Sequence, residues 1–193
     1  MIDNKPFILA SSSPRRLALL QEIGLTPDKV IPAELDETRL KGELPREMAL
    51  RLAKEKAAYV LAQVPDAYVL GSDTVVTCAA RVLPKAGSIE DVARFLSVLS
   101  GRRHHVYTGV CLIAPDGRCL HRVSDSVVKF KRLSHEELAD YAQSGEGIGK
   151  AGGYAIQGRA ACLIHSMMGS YSGIVGLPLY ELSQMIKSAR RVP

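Results

Sequence analysis

Short apolar runs of strand length alternate with amphipathic helical patterns in this chain, and this alternation restricts the possible folds more than any other feature. Phe7 to Ala10 reads as a first strand, and residues 14–24 follow it with the apolar spacing of a helix. A second strand is predicted near Lys29 to Ala33, and a longer helix from about Pro45 to Ala62. Such alternation is typical of α/β proteins, in which helices cover a central sheet.

The second half of the chain adds an antiparallel component. Tyr107 to Ala114 and Cys119 to Phe130 flank a Pro-Asp-Gly turn, and they are predicted to pair as a hairpin. A hairpin within the alternating pattern predicts the α/β class with a mixed β-sheet and flanking helices. The remaining predicted elements are a strand that begins at Ala67 and helices that begin near Ser88, Ser134 and Pro178.

No internal repeat, linker or low-complexity tract divides the chain, so a single domain is predicted over residues 1–193. The apolar runs are too short for membrane-spanning helices, and the N-terminal residues lack the apolar core of a secretory signal. We therefore expect a cytoplasmic protein with no membrane partner. Four cysteines without a C-x-x-C pair argue against a disulfide framework or a zinc site.

The composition says little about the ligand. The formal net charge of +5 favours anionic partners in general. Only 5% of the residues are aromatic and none is tryptophan, so few side chains could stack on the bases of a single strand. We therefore expect no nucleic-acid partner.

The first strand leads into the segment LASSSPRRLALL, which covers Leu9 to Leu20. Its serines precede Pro14 at the start of a helix, where free backbone N–H groups favour an anion. Arg15 and Arg16 add planar donors that suit phosphate oxygens. Alternatively, Ser13 only caps the helix and the two arginines are surface residues. This segment by itself leaves both interpretations open.

Several charged residues lie at positions that suggest a function. Asp73 interrupts a buried-strand pattern, where a carboxylate is costly unless a cation or metal compensates it; the alternative is a side chain that caps a turn. Asp36 and Glu37 offer oxygens that divalent cations prefer, although an acidic loop is more often only solvated. Lys56 shares a helical face with small apolar residues, so its ammonium should run along the domain. Lys85, in a turn, is either a phosphate ligand or plain surface.

Carboxylates, cations and glycine-rich segments at element boundaries together suit polyphosphate chemistry. Mg²⁺ and basic side chains can neutralise phosphate oxygens while one carboxylate activates water. The segment GEGIGKAGGYAIQG has six glycines in fourteen residues, which predicts a functional loop or a tight corner. A serine hydrolase is excluded because the serine-rich corner lacks the G-x-S-x-G frame.

An ordered set of motifs resembles the Maf family of nucleoside triphosphate pyrophosphatases nearly from end to end. The motifs are LASSSPRRLALL, LDET, RLAKEKA, GSDTVV, LPKAG, VYTGV, GKAGGYAIQG and GSYSGIVGLPLYEL. The resemblance implies a mixed-sheet α/β fold with two lobes around a central cleft, a cytoplasmic location and a homodimer. It also implies hydrolysis of a nucleotide between its α and β phosphates with a divalent metal cation, Mg²⁺ or Mn²⁺.

The matched motifs also imply roles for individual residues. Asp73 matches the general base of the family, beside Ser72 where the family usually has alanine, and the metal would be held by Asp73 and Glu37. Further matches imply substrate binding by Ser11, Arg15, Arg16, Lys56, Lys85 and Lys150.

Three matched positions concern the choice of base, namely Arg15, Thr74 and Gln157. The branch that resembles dTTP/UTP pyrophosphatases carries these residue types, whereas the branch acting on 7-methyl-GTP is similar to Lys, Trp and Glu. Gln157 can donate and accept along a pyrimidine edge, and Thr74 offers no indole for a methylated purine. The segment SYSGIVGLP departs from the common Y-Y-N-V-V-G-L-P, which bears on substrate preference.

The expected function is therefore hydrolysis of dTTP and UTP. Two alternatives stay open. One is a pyrophosphatase for 7-methyl-GTP or another modified nucleotide, and the other is a non-catalytic nucleotide-sensing regulator of cell division.

Overall fold

A computed structural model describes residues 2–190, so Met1 and residues 191–193 of the predicted domain lie outside the described residues. In chain order, the elements of the described part are β1 (Phe7–Ala10), α1 (Pro14–Glu22), β2 (Lys29–Val30), α2 (Pro45–Leu61), β3 (Tyr68–Cys78), β4 (Arg81–Leu83), α3 (Ile89–Leu99), β5 (Arg103–Ile113), β6 (Cys119–Phe130), α4 (His135–Gln143), a 3-10 helix (Gly158–Cys162), β7 (Ile164–Met168), α5 (Tyr171–Val175) and α6 (Leu179–Arg190).

The strands form one mixed sheet in the order β2-β1-β3-β5-β6-β7, with β4 paired to β3 beside this series. β1 runs parallel to β2 and β3, whereas β3, β5, β6 and β7 pair antiparallel. Helices cover the sheet, so the predicted α/β class with a mixed sheet and flanking helices is confirmed.

β3 has a gap along one of its edges. On one side it pairs with β5 from Val69 to Thr77. On the other side it pairs with β1 over Tyr68–Gly71 and with β4 over Val76–Cys78. Within residues 2–190, no strand pairs with Ser72–Val75 on this second side. The sheet therefore opens at the middle of β3.

α2 crosses one face of the sheet at very short range. A Cβ atom at Gly71 would lie 2.2 Å from the carbonyl oxygen of Ala53, and one at Gly109 would lie 2.2 Å from that of Ala49. Any side chain at either glycine would push the helix away from the sheet, since both contacts are to backbone. This close approach brings Lys56 of α2 to the open edge of β3.

The larger apolar core lies on the other face of the sheet. There α1, α3, α4 and α6 contribute buried side chains that pack on the sheet, among them Leu20, Phe95, Tyr141 and Leu182. No helix within the described residues is long and apolar enough to cross a lipid bilayer.

Some predicted boundaries differ from the structure. β2 is only Lys29–Val30, because its pairing partners on β1 are Ile8 and Leu9 alone. β5 begins at Arg103 instead of Tyr107, since its register with β6 continues to Lys129. The short elements β4, β7 and α5 were not predicted, because they have too few residues to show a clear apolar period.

One histidine is part of the core. His104 is 1% exposed and packs against the rings of Phe130 and Tyr154. Its Nε2 atom shares a hydrogen bond of 2.7 Å with the Tyr154 hydroxyl. Burial, together with repulsion from His105, lowers the pKa of His104 from 6.5 to about 4. The folded protein therefore keeps this imidazole neutral where the unfolded chain would protonate it.

The free energy of unfolding should decrease as the pH is lowered, because the unfolded chain protonates His104 more readily than the folded protein does. Its contribution is constant above about pH 7 and decreases by about 3 kcal/mol as the pH drops from about 6.5 to about 4. His104→Phe should remove this part of the pH dependence, whereas His135→Gln, at an exposed position, should keep it. Urea unfolding across this pH range measures the effect. Equal pH slopes for the wild type and His104→Phe would contradict the prediction.

Candidate active site

A cleft of about 360 Å³ lies at the open edge of β3. This volume is within the range of small-molecule sites. Its walls come from the corner after β1, the acidic loop before α2, the turn after β4, the glycine-rich segment and α5. Segments that are far apart in the sequence therefore meet at one place.

Four charged side chains form a continuous series along the cleft. Lys56 Nζ lies 2.5 Å from Oδ1 of Asp73 and 2.6 Å from Oε1 of Glu37. The second oxygen of Glu37 lies 2.6 Å from Nζ of Lys85. Asp73 and Lys56 are 5% and 6% exposed, whereas Lys85 is at the surface. The charges therefore alternate from the buried Asp73 out to the solvent.

This series keeps Glu37 ionised. Burial by itself raises the pKa of the Glu37 carboxyl, but hydrogen bonds from Lys56 and Lys85 outweigh it and lower the pKa to about 2. The Glu37 carboxylate is therefore negatively charged at any physiological pH, and its oxygens can act as ligands of a cation.

Arg16 is held by three protein oxygens from different segments. Its Nε donates to the carbonyl of Gly176 at 2.8 Å, its Nη1 to the hydroxyl of Ser11 at 3.0 Å and its Nη2 to that of Thr74 at 3.4 Å. Burial lowers the pKa of Arg16, while the charge of Asp73 opposes the shift. A guanidinium has five N–H donors, so two of them stay available for a ligand in the cleft.

The serine-rich corner is organised by Ser11. Ser11 is buried, and its hydroxyl accepts hydrogen bonds from the backbone N–H of Ser13 at 3.1 Å and from Arg16. Ser13 occupies the predicted N-cap position of α1, but its side chain makes no capping hydrogen bond. The predicted cap is therefore right in position and wrong in its bonding. Pro14, which has no N–H, begins the helix and leaves one donor fewer to satisfy.

Two further cations face the cleft, and no carboxylate within residues 2–190 forms an ion pair with either of them. Arg15 Nε donates to the carbonyl of Val175 over a long 3.5 Å, and Lys150 Nζ donates to that of Ile148 at 3.3 Å. Burial lowers the pKa of both side chains, and the charge of Arg15 lowers that of Lys150 further. An anion between them would relieve this repulsion.

The glycine-rich segment is brought to the cleft by the turn after β4. Lys85 pairs with Ala151 through an isolated β-bridge, and the N–H of Gly149 donates to the carbonyl of Ala86 at 2.8 Å. A Cβ atom at Gly152 would lie 2.8 Å from a methyl group of Val76 on β3. Glycine is needed here for space and for a φ of +71°.

Most of the predicted site residues meet in this cleft. Those that line it are Ser11, Arg15, Arg16, Glu37, Lys56, Asp73, Thr74, Lys85 and Lys150. Gln157 is exposed at the start of the 3-10 helix and does not line the cleft, although its neighbour Ile156 does. Asp36 is also exposed and does not line it. The roles of these residues stay predictions.

Sequence reasoning missed a group of buried hydroxyls beneath α5. Ser72 and Thr108 are both 0% exposed. Thr108 donates to the carbonyl of Gly173 in α5, and the one hydroxyl hydrogen of Ser72 is shared between the carbonyls of Gly109 at 2.8 Å and Gly176 at 3.0 Å. The signal that could have found Thr108 is a hydroxyl within the otherwise apolar strand VYTGV, which needs a buried partner.

Comparison with known proteins shows which family this chain matches and identifies proteins that are similar to it. The model of the family described as Maf-like protein matches residues 6–189. A protein of Paramagnetospirillum magneticum named dTTP/UTP pyrophosphatase is 56% identical over 179 residues, which cover 93% of this chain and 94% of that protein. A protein of the same name from Caulobacter vibrioides is 54% identical over 93% of each chain.

A solved structure shares the fold. The HAM1 protein from Coxiella burnetii superposes with a TM-score of 0.51 at 18% sequence identity, over 94% of this chain and 98% of that one. At this identity the similarity concerns the arrangement of strands and helices alone.

Proposed function

The chain belongs to the Maf-like protein family, and on this premise we propose that it hydrolyses dTTP and UTP to the nucleoside monophosphate and pyrophosphate. The observation that carries the proposal is the charge series at the open edge of β3, in which Lys56 contacts both Asp73 and Glu37. The names of relatives about half identical to this chain support the choice of substrate.

In this proposal, the cations of the cleft bind the triphosphate. Arg16 offers two N–H donors beyond those it uses within the protein, and Arg15 and Lys150 lie close enough to repel each other. Lys85 reaches the cleft from the surface side. Positive groups on several walls suit a substrate whose negative charge is spread over three phosphoryl groups.

Asp73 is proposed to accept the proton of the attacking water. Lys56 holds Oδ1 of Asp73 at 2.5 Å, so the second carboxylate oxygen is the one that would receive the proton. Burial excludes bulk water from this carboxylate, and the rigid strand fixes its direction.

The two carboxylates fit a divalent cation. Asp73 and Glu37 both contact the ammonium group of Lys56, so the two carboxylates lie close together beside the cleft. Mg²⁺ typically takes one or two protein carboxylates together with substrate phosphates and water. We propose that Asp73 and Glu37 hold Mg²⁺ or Mn²⁺, which when bound would neutralise phosphate oxygens and polarise the phosphoryl group.

The choice of a pyrimidine base is proposed from Arg15, Thr74 and Gln157. Thr74 lines the cleft and is small, which leaves room for a base without offering an aromatic surface. Gln157 lies just outside the lining, next to Ile156, so its amide would have to turn toward the cleft to meet a base edge. A pyrophosphatase for 7-methyl-GTP or another modified nucleotide is the alternative within the enzyme class.

Purified protein with Mg²⁺ should convert dTTP and UTP to monophosphate and pyrophosphate, and CTP and 7-methyl-GTP at a rate lower by at least about tenfold, a preference of roughly 1.4 kcal/mol. Chromatography of the nucleotides and an enzymatic pyrophosphate assay identify the products. Release of orthophosphate from dTTP, or turnover of neither favoured nucleotide, would overturn the proposal. A preference for 7-methyl-GTP would favour the alternative enzyme.

Other properties are proposed on the same basis. They are a single domain over residues 1–193, a cytoplasmic location, the absence of a nucleic-acid partner and a homodimer. Light scattering of the purified protein tests the homodimer directly.

A further inference from the structure

Two buried hydroxyl groups and one guanidinium contact the α5 segment beside the cleft. A helix leaves its last carbonyl groups without partners inside the helix. In α5, the carbonyl of Gly173 accepts a hydrogen bond of 2.7 Å from Thr108 Oγ1. The carbonyl of Gly176, just after the helix, accepts from Arg16 Nε at 2.8 Å. Ser72 Oγ lies 3.0 Å from the same carbonyl, but its one hydrogen is shared with the carbonyl of Gly109 at 2.8 Å. Side chains from β3, β5 and α1 therefore satisfy the end of α5.

The direction of the hydrogen bonds follows from counting protons. Thr108 has one hydroxyl hydrogen, which it donates to Gly173. In its 3.1 Å contact with Thr74 Oγ1, Thr108 must therefore accept and Thr74 must donate. The oxygen of Thr74 is then left to accept from Nη2 of Arg16 at 3.4 Å. A directed chain runs from Arg16 through Thr74 and Thr108 to Gly173.

Two paths lead from Arg16 to the α5 segment. One runs through Thr74 and Thr108 to the carbonyl of Gly173, and the other runs directly to the carbonyl of Gly176 at the end of the helix. Gly173 allows α5 to lie this close to the sheet, since a Cβ atom there would be 2.9 Å from Ser124 Oγ. Successive hydrogen bonds along the longer path polarise one another, and the two paths together restrict the orientation of the guanidinium plane.

We propose that Thr108 is a positioning residue for the phosphate-binding Arg16, acting through Thr74 and the carbonyl of Gly173. Thr108 does not line the cleft and is fully buried, so it acts only by directing Arg16 and α5. The inference rests on the proposed function, because it assigns Arg16 a place in binding the substrate. Without the path through Thr74, Arg16 would be held by Gly176 and Ser11 alone, so the direction of its two remaining N–H donors would be less well fixed.

Thr108→Val keeps the shape of the side chain and removes the hydroxyl. It should lower kcat/KM for dTTP by about 10- to 100-fold, the size expected for a misplaced binding group. Thr108→Ser keeps the hydroxyl and should stay within about threefold of the wild type, well under the tenfold that corresponds to 1.36 kcal/mol. The matched control is Thr77→Val, because Thr77 is a buried threonine of β3 that does not line the cleft.

A purely structural role for Thr108 predicts a different pattern. If the hydroxyl acts through Arg16, the loss caused by Thr108→Val should shrink to about threefold or less in an Arg16→Lys background, since the two substitutions then remove one interaction. Equal losses in both backgrounds, or wild-type kcat/KM for Thr108→Val, would overturn the proposal. If Thr108→Val does not fold, Thr108→Ala removes the same hydroxyl, and its kcat/KM is measured instead.

A second readout does not depend on turnover. The ¹⁵Nε–¹H signal of Arg16, assigned from its absence in Arg16→Lys, should be sharp and slow to exchange in the wild type because it donates to Gly176. It should broaden or disappear in Thr108→Val and persist in Thr108→Ser and Thr77→Val. An unchanged signal in Thr108→Val would contradict the proposal. If the wild type hydrolyses no nucleotide, the proposed function fails while this signal still decides the positioning role.

Discussion

Asp73→Asn is expected to lower kcat for dTTP by about 10³-fold with little loss of nucleotide binding, because general acid–base catalysis contributes about 10²- to 10⁴-fold. The amide keeps the shape of the side chain but cannot take a proton from water. The cations around the cleft are unchanged, so nucleotide binding should persist. Steady-state kinetics of pyrophosphate release and calorimetric titration with a non-hydrolysable dTTP analogue measure the two quantities separately.

The matched control for this experiment is Asp125→Asn. Asp125 is an exposed strand residue that pairs with His105 and does not line the cleft, so its replacement should leave kcat unchanged. Asp73→Asn with wild-type kcat would show that Asp73 is not the base. Asp73→Asn also distinguishes an enzyme from a nucleotide-sensing regulator of cell division. A protein that only binds nucleotide would keep its cellular effect when Asp73 is replaced.

Lys56→Met should strongly lower the stability of the protein. Lys56 is 6% exposed and neutralises Asp73 and Glu37 together, so its removal leaves a buried carboxylate without its counter-ion. Breaking a buried ion pair by removing one partner typically costs about 3–5 kcal/mol. For a chain of this size, that loss corresponds to a thermal midpoint lower by roughly 10 °C. Differential scanning calorimetry measures the midpoint, and pyrophosphate release should fall as well.

Lys54→Met is the control for Lys56. Lys54 lies two residues earlier on the same helix, is only partly buried and does not line the cleft, so its replacement should change stability by less than about 0.5 kcal/mol. Similar midpoints for the two variants would contradict the proposed role of Lys56 as the shared counter-ion.

Much of the site was predictable because its residues break local patterns. Asp73 interrupts an apolar strand, and Lys56 lies on the apolar face of α2, where a charged side chain needs a buried partner. These anomalies can be read from a few neighbouring residues. The distance of 2.5 Å between the two groups could not be read in this way, since it depends on how closely α2 packs on β3.

The parts that were missed depend on pairing between distant segments. Arg16 was expected to offer planar donors to phosphate, and its hydrogen bonds to Ser11, Thr74 and Gly176, which engage three of those donors, were not foreseen. Thr108 received no role, because a hydroxyl on a strand has no partner until α5 is packed over it. Gln157 was expected to bind the base; it lies exposed at the start of the 3-10 helix, just outside the lining of the cleft, and its role stays a prediction.

The sequence by itself determined the α/β class, the longer helices and strands, and which residue types would carry polyphosphate chemistry, since these follow from local periodicity and from single residues that violate it. Only the tertiary structure decided that β3 is left open between β1 and β4, and that Gly71 and Gly109 let α2 bring Lys56 to that opening. The physical reason is that hydrogen bonds and ion pairs act over a few ångströms. The partners in this cleft are separated by as many as 160 residues along the chain, as Arg16 and Gly176 are.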